Sequence, residues 1–423
     1  VVELLQRGGD LLYNRHDRYW IPVNHPRALC FYLDHLFVPH SRQELLRGTF
    51  ARTTPWMKWS FLHPRERKGE PGSPPSLEEI GLKYLAGLLE EHMRQAGYTL
   101  SGSPLFLILE DYQNSTRRQA MLFLFDQELS VPYGVAKVTR QTNQCAILKR
   151  EFNTLVNLHK SLAQELRTTI PQPLAFIERD GLTVICETFL PGRSIYYSMR
   201  NTWHPRRHAS HHFRQAMEWL VQFQKATLMS DGYLDEWLMR EHVMRPLESF
   251  QRHFKLSTHE RQMIRYVIES AHKLQGERLP LVMRQGDFWA RNLIENGNKV
   301  GVVDWERFSK RSTPFSDLFM FATSYGLSYP WKLGRWAEPV TAFRATYLER
   351  SWLGQCIRDY LLAYCQAMGV SPALLEVFFP VFLAEQALKE MEQWENHTPR
   401  SGRQTWRNLI HEYAQQGGSV CFG

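Results

Sequence analysis

The sequence predicts an α+β fold in which a small antiparallel sheet precedes a mostly helical region. Between about residues 100 and 190 the apolar residues fall in short runs rich in β-branched and aromatic side chains, separated by turn residues. From about Ala209 they recur instead at the spacing of one helix face. Ahead of both, up to about residue 95, neither pattern is sustained apart from one helix. The expected divisions are therefore 1–95, an N-terminal extension; 96–190, a sheet with a helix packed on it; and 191–423, a mostly helical region.

The extension begins with aromatic and basic residues, including Trp20, Phe31, Tyr32, Phe37, Trp56 and Trp59. His63 to Ser76 is polar and rich in Gly and Pro, the composition of an exposed loop. Ser76 then caps a helix, with Glu79 at capping-box spacing and Leu82, Leu85, Leu88 and Leu89 forming an apolar face to about Met93. Leu105–Leu109, Ala120–Phe125 and Val135–Val138 read as strands, with a turn at Asn114–Thr116. Gln144 to His159 reads as a helix, with Leu148, Phe152, Leu155 and Leu158 apolar. Pro171 and Pro173 interrupt the chain, and Thr183–Phe189 is a further strand ended by Pro191-Gly192. Phe213–Leu228 and Pro372–Trp394 read as helices, and between them Leu281–Trp305 holds two short apolar strands around a polar loop. There is no internal repeat.

The 423 residues exceed one typical domain, and 43% hydrophobic with 22% charged residues is a globular balance. A net charge of +8 suits anionic partners of several kinds. Six dispersed cysteines without a Cys-x-x-Cys pair argue against a cysteine zinc site and for free thiols in a reducing compartment. The most apolar run, Leu374–Leu383, is short and carries Glu376 and Pro380, so no membrane span is expected and a cytoplasmic location is.

The chemistry-bearing residues cluster in Gln285-Gly-Asp-Phe-Trp-Ala-Arg-Asn292 and Val300-Gly-Val-Val-Asp-Trp-Glu306. Phosphoryl transfer requires a carboxylate to take the acceptor's proton, and an amide oxygen and a second carboxylate to hold magnesium on the phosphates. Asp287 and Asn292 have the five-residue spacing of a base and a metal-binding Asn, and Asp304 follows a short strand as the metal-binding Asp should. Upstream, Lys137 in Val135-Ala-Lys-Val138 is placed as a phosphate-contacting lysine, and Glu151, fourteen residues on, as its helical partner.

Gly-Asp-Phe-x-x-x-Asn followed by Asp-Trp-Glu resembles the aminoglycoside-phosphotransferase and choline-kinase family, as does the later Pro314-Phe-Ser-Asp-Leu318. The resemblance implies a two-lobed protein-kinase-like fold, with ATP and Mg²⁺ as cofactors and a hydroxyl-bearing acceptor. It implies that Asp287 is catalytic, that Asn292 and Asp304 hold the metal, and that Lys137 and Glu151 hold the phosphates. Glu187-Thr-Phe-Leu-Pro-Gly192 resembles the hinge between kinase lobes, where backbone groups of Glu187 to Phe189 would hold the adenine edge. The phosphate-covering turn, Tyr112–Arg117, lacks the usual glycines and leaves Asn114, Ser115 and Thr116 as donors to phosphate. Gln285 stands where the family usually has His. The Trp20-Ile-Pro pattern looks like a subgroup found among bacterial polysaccharide-biosynthesis proteins.

The acceptor expected is a small molecule, a sugar or polyol; a precursor peptide and a pseudokinase without turnover stand as alternatives. Arg291 and Glu306, beside the catalytic residues, are candidates for reading the acceptor. A polycationic aminoglycoside fits a net basic chain poorly. His204, His208, His211 and His212 have a metal-like spacing but no acidic third ligand, and read as a solvated loop. Arg52–Lys68 is basic and aromatic without a nucleic-acid motif, so no nucleic-acid partner is expected.

Overall fold

In a computed structural model the chain divides into two compact units. The structure describes residues 5–8, 11–14, 19–22, 26–36, 82–95, 97, 105–111, 119–125, 131–200, 202, 204–330, 337–395 and 404–417. One unit comprises Val1–Asn201 with Ile294–Gly297 and Gly301–Glu306; the other comprises Thr202–Leu293, Asn298–Val300 and Arg307–Gly423.

The first unit is built on an antiparallel sheet of order β1-β2-β3-β4-β5-β6-β8-β7. Its strands are β1 (Leu5–Gly8), β2 (Leu11–Asn14), β3 (Tyr19–Pro22), β4 (Leu105–Asp111), β5 (Gln119–Phe125), β6 (Gly134–Thr139), β7 (Pro173–Arg179) and β8 (Leu182–Thr188). The first three belong to the N-terminal stretch, whose aromatic and basic composition gave no strand signal. β3 pairs with β4 through Tyr19↔Leu109 and Trp20↔Ile108, so the extension lengthens the sheet. β7 also departs from expectation: it starts at Pro173 rather than being broken there. As the last strand of the sheet it has one unpaired edge, where a missing N–H is tolerated.

Alternation along the strands separates the two faces of this sheet. Ile108, Leu122, Leu124, Ala136, Val138, Val184 and Cys186 are buried together with Leu85, Leu88, Leu89 and Met93 of α2 (Leu82–Gln95), the second described helix after α1 (Pro26–Phe31). Leu82–Gln95 is the helix that its leucine spacing predicts, whereas the cap expected at Ser76 lies outside the described residues. The opposite face carries Phe123, Val135, Lys137, Ile185 and Glu187, and α3 (Thr142–Ser161) contributes Glu151 there. A two-residue strand, β9 (Arg193–Ser194), pairs with β12 (Leu293–Asn296) through Ile294↔Ser194 and Glu295↔Arg193.

The second unit is mostly helical. It contains α4 (Pro205–Ala226), α5 (Thr258–Lys273), α6 (Phe315–Ser328), α7 (Trp352–Met368), α8 (Leu374–Glu395) and α9 (Thr405–Gln415). The histidine-rich segment expected to be a loop is the first turns of α4: Pro205 sits at its N-terminal position, where the missing N–H costs nothing. A small sheet in this unit has the order β10-β11-β14, with β10 (Leu228–Ser230), β11 (Leu281–Arg284) and β14 (Ser309–Ser312). Aromatic rings fill the core, with Phe319, Phe321, Tyr325, Tyr364 and Tyr413 all fully buried. Ion pairs tie its surface helices, notably Arg344 to Glu412 at 2.7 Å and Arg407 to the buried Glu260. No helix among the described residues is long and apolar enough to cross a membrane.

If α2 seals one face of the sheet, Leu89→Ala opens a cavity there and costs about 2–5 kcal/mol of unfolding free energy. Glu91→Ala, on the exposed side of the same helix, leaves stability within about 0.5 kcal/mol. Paired denaturant titrations check both values.

Candidate active site

Lys137 lies on β6, which is hydrogen-bonded to β5 on one side and β8 on the other. Only 3% of its surface is exposed, so its ammonium must be paired within the protein. Its Nζ donates to Glu151 Oε1 at 2.6 Å and to Asp304 Oδ1 at 2.9 Å. Burial works against the charged form, but the carboxylates of Asp304, Glu151 and Glu187 outweigh it and hold the lysine pKa well above its ordinary value. Glu151 is fully buried, and the same oxygen accepts the Trp305 N–H at 3.0 Å.

Asp304 directly follows Val303, just beyond β13 (Lys299–Val302), and adopts φ 64°. The only other non-glycine with positive φ among the described residues is Asp180, which turns the β7–β8 hairpin. Asp304 has no hairpin to make, and its left-handed backbone puts the carboxylate on Lys137. Trp305, fully buried, anchors the turn by donating its indole N–H to Val302 O at 3.0 Å. The Asp304 side chain stays 30% exposed, against 1% for Glu151, so of the two carboxylates Asp304 can also meet a ligand. The N–H of Val302 donates to Thr169 O at 2.7 Å, fixing the end of this strand within the first unit.

The loop Gln285–Asn292 follows β11 in the second unit. Its backbone is gripped by Asp317 of α6, whose carboxylate accepts the N–H groups of Gln285 at 2.7 Å and Gly286 at 3.0 Å. Asp317 is 1% exposed, and that burial raises its pKa against the lowering effect of these bonds. Gln285 is also buried, and its amide oxygen accepts the Asp287 N–H at 2.7 Å, so the glutamine supports the loop through its side chain. Gly286 has φ 91°, and a Cβ there would stand 2.1 Å from Arg307 O; no other residue fits. Two short turns, Trp289 N to Asp287 O and Asn292 N to Trp289 O, then bring Asn292 back to Asp287. The Asn292 amide donates to Asp287 Oδ2 at 3.1 Å and to Asp287 O at 3.0 Å. Phe288 points the other way and stacks on Trp219, and Arg291 lies over the Trp289 ring.

The structure thus brings Lys137, Glu151 and Asp304 together in one unit, and Asp287 with Asn292 in the other. Phe189 packs against Phe31 and Phe123, just past the end of β8. Asn114, Ser115 and Thr116 lie outside the described residues, as does the basic segment Arg52–Lys68. Two contributions went beyond the sequence reading. Asp317 is the clamp on the loop; the sequence singled out Pro314–Leu318 only as a family-like segment and gave Asp317 no role of its own. Glu187 offers its side chain as well as its backbone: it is 4% exposed, its Oε2 has no hydrogen-bond partner, and burial pushes its pKa up to about 8. In the histidine cluster, buried His212 is paired with Tyr325 OH at 3.0 Å, and no group of three His, Cys, Asp or Glu side chains that could hold a metal ion occurs among the described residues.

These features define a two-lobed protein-kinase-like fold, with a sheet lobe and a helical lobe. Residues 137–360, more than half of the chain, match the model of the phosphotransferase enzyme family, and the chain belongs to that family. It is a phosphotransferase. Similar solved structures share little sequence. A variant of aminoglycoside 2'-phosphotransferase-IIIa in its GDP complex is 12% identical with a TM-score of 0.50, covering 80% of this chain and 99% of that one. Choline kinase LicA from Streptococcus pneumoniae is 12% identical with a TM-score of 0.46, covering 78% and 99%. Aminoglycoside phosphotransferase APH(4)-Ia with AMP-PNP and hygromycin B is 11% identical with a TM-score of 0.49, covering 79% and 98%. No curated protein matches.

Gly286→Ala forces the loop off Asp317 and abolishes turnover while Lys137 and its partners, in the other unit, keep their contacts; nucleotide-binding and activity assays run on the same sample separate the two effects. A second expectation concerns pH. Glu187 binds its proton more tightly folded than unfolded, so its ionisation destabilises the fold progressively as pH rises from about 4.5 to about 8. Glu187→Gln removes that penalty, and its melting temperature relative to the unaltered protein rises across this window.

Proposed function

We propose that the chain transfers the γ-phosphoryl group of ATP to a hydroxyl of a small molecule, a sugar or polyol. The observation that carries this reading is the buried Lys137 held between Glu151 and a still accessible Asp304. Lys137 orients the ATP phosphates, and Asn114, Ser115 and Thr116 donate to them. Backbone groups of Glu187 to Phe189 hold the adenine edge. Asn292 and Asp304 offer an amide oxygen and a carboxylate, the hard donors that Mg²⁺ prefers. When bound, the metal neutralises charge on the phosphates. Asp287, oriented by the Asn292 amide, takes the proton of the attacking hydroxyl.

Gln285 in place of the family's usual His is compatible with turnover, since its amide oxygen already supports the Asp287 backbone. Net positive charge disfavours a polycationic acceptor and leaves a neutral or anionic one. Arg291 and Glu306 are the side chains proposed to read it. A cytoplasmic location, where ATP is held ready, accompanies this reading.

The test is turnover of Mg²⁺-ATP against a panel of sugars, polyols, aminoglycosides and Ser/Thr peptides, with products read by mass spectrometry. A phosphorylated sugar or polyol is expected. Asp287→Asn lowers the rate by at least about 100-fold and leaves ATP affinity within a few fold, because it removes the base and keeps the shape. An unchanged rate in that variant refutes the assignment of the base.

A further inference from the structure

We infer that the Glu187 side chain reads the 6-position of the purine, accepting a hydrogen bond from the exocyclic amine of adenine, and so makes the chain prefer ATP to nucleotides with a 6-oxo base. This rests on the reading above, in which the chain leaving β8 holds the nucleotide base.

Register places the side chain. Lys137 pairs with Ile185, and Val135 pairs with Glu187, so all four residues point to the same face of the sheet. The opposite face is closed by α2 and the apolar core. Glu187 therefore shares the face of the phosphate-contacting lysine, two residues further along the strand, a displacement of about 7 Å. It is the last buried residue before β8 ends at Thr188.

Its surroundings are largely apolar, with Lys137 as the nearby cation that favours its charged form. Val135, Ile185 and Phe123, the cross-strand partner of Val135, are all buried and apolar. At 4% exposure water does not reach the group freely, and Oε2 has no hydrogen-bond partner. Lys137, the cation beside it, already donates to Glu151 and Asp304. Buried acceptors are retained where a donor meets them, and a few polar groups in a largely apolar wall are how ligand sites fix orientation.

The donor follows from the chemistry of the base. Adenine carries an amine at C6; guanine and hypoxanthine carry an oxo group there. A carboxyl, protonated or ionised, keeps an oxygen that accepts from the amine. Toward a 6-oxo group an ionised carboxyl is repulsive, whereas a neutral one can donate its proton to that oxygen, so the discrimination belongs to the ionised form. Sites built around such a bond reject analogues that lack it far more strongly than apolar pockets reject shape changes.

Dissociation constants of the full chain for the Mg²⁺ complexes of ATP, GTP and inosine triphosphate, measured by calorimetry at a pH above about 8, where the Glu187 carboxyl is ionised, test this. Inosine triphosphate isolates the 6-position, since it lacks the 2-amino group of guanine. The unaltered chain is expected to bind ATP at least about tenfold more tightly than either 6-oxo nucleotide. In Glu187→Gln, whose amide can present oxygen or NH₂, the three affinities come within about threefold. Glu187→Met weakens ATP binding without strengthening the others. Equal affinities in the unaltered chain, or an undiminished preference in Glu187→Gln, overturn the inference alone. Failure to bind any of the three overturns the nucleotide reading with it.

Discussion

The first unit depends on one buried cation. Lys137 sits in the middle strand of a three-strand core, where an unpaired ammonium would be untenable, and two carboxylates from distant parts of the chain meet it. That requirement couples three elements. α3 must pack on the sheet at the depth that brings Glu151 to the amine. The strand ending at Val302 must be bound to Thr169 so that the next residues reach the same place. Asp304 must then accept a left-handed backbone, a local cost that the ion pair and the anchored Trp305 offset.

The second unit meets the opposite requirement with a similar device. Here the buried charge is the carboxylate of Asp317, and its partners are backbone N–H groups of the loop itself. Gln285 and Gly286 can then turn sharply enough to present Asp287 half-exposed, with Asn292 folded back against it. In both units the residues proposed for chemistry are held by groups that are more deeply buried than they are. A reacting group needs access to substrate and a fixed direction, and burial of its support supplies the second without removing the first.

Motif spacing made the groupings legible because each reflects local geometry. Asp287 and Asn292 are joined by two turns, and Lys137 and Glu151 by a strand, a connection and part of one helix. Elements with a local signal were legible for the same reason: α2 and α3 follow from the spacing of their apolar residues, and strands β4 to β6 from short apolar runs between turn residues. What escaped depended on partners. β1 to β3 are four residues each, too short for a period, and are strands because neighbouring strands complete their hydrogen bonds. The start of α4 was hidden by histidines and arginines, whose solvated side chains suit a helix surface as well as a loop. The part played by Asp317 required knowing which loop lies beside the start of α6.

Glu187 belongs to neither category. Strand alternation gives its face, and the hinge-like segment gives its place; Lys137 lies near enough to favour the charged form of its carboxyl, yet its Oε2 has no hydrogen-bond partner. A fold seldom keeps an unsatisfied acid for stability, because an amide or a methionine of similar size fits the same space with a smaller desolvation cost. The physical difference between Glu187 and Glu151 is thus one of purpose: Glu151 completes an ion pair inside the protein, whereas Glu187 keeps an acceptor on the face where the nucleotide is proposed to bind. A residue that costs stability when the site is empty is explained most simply by a bond made when the site is full.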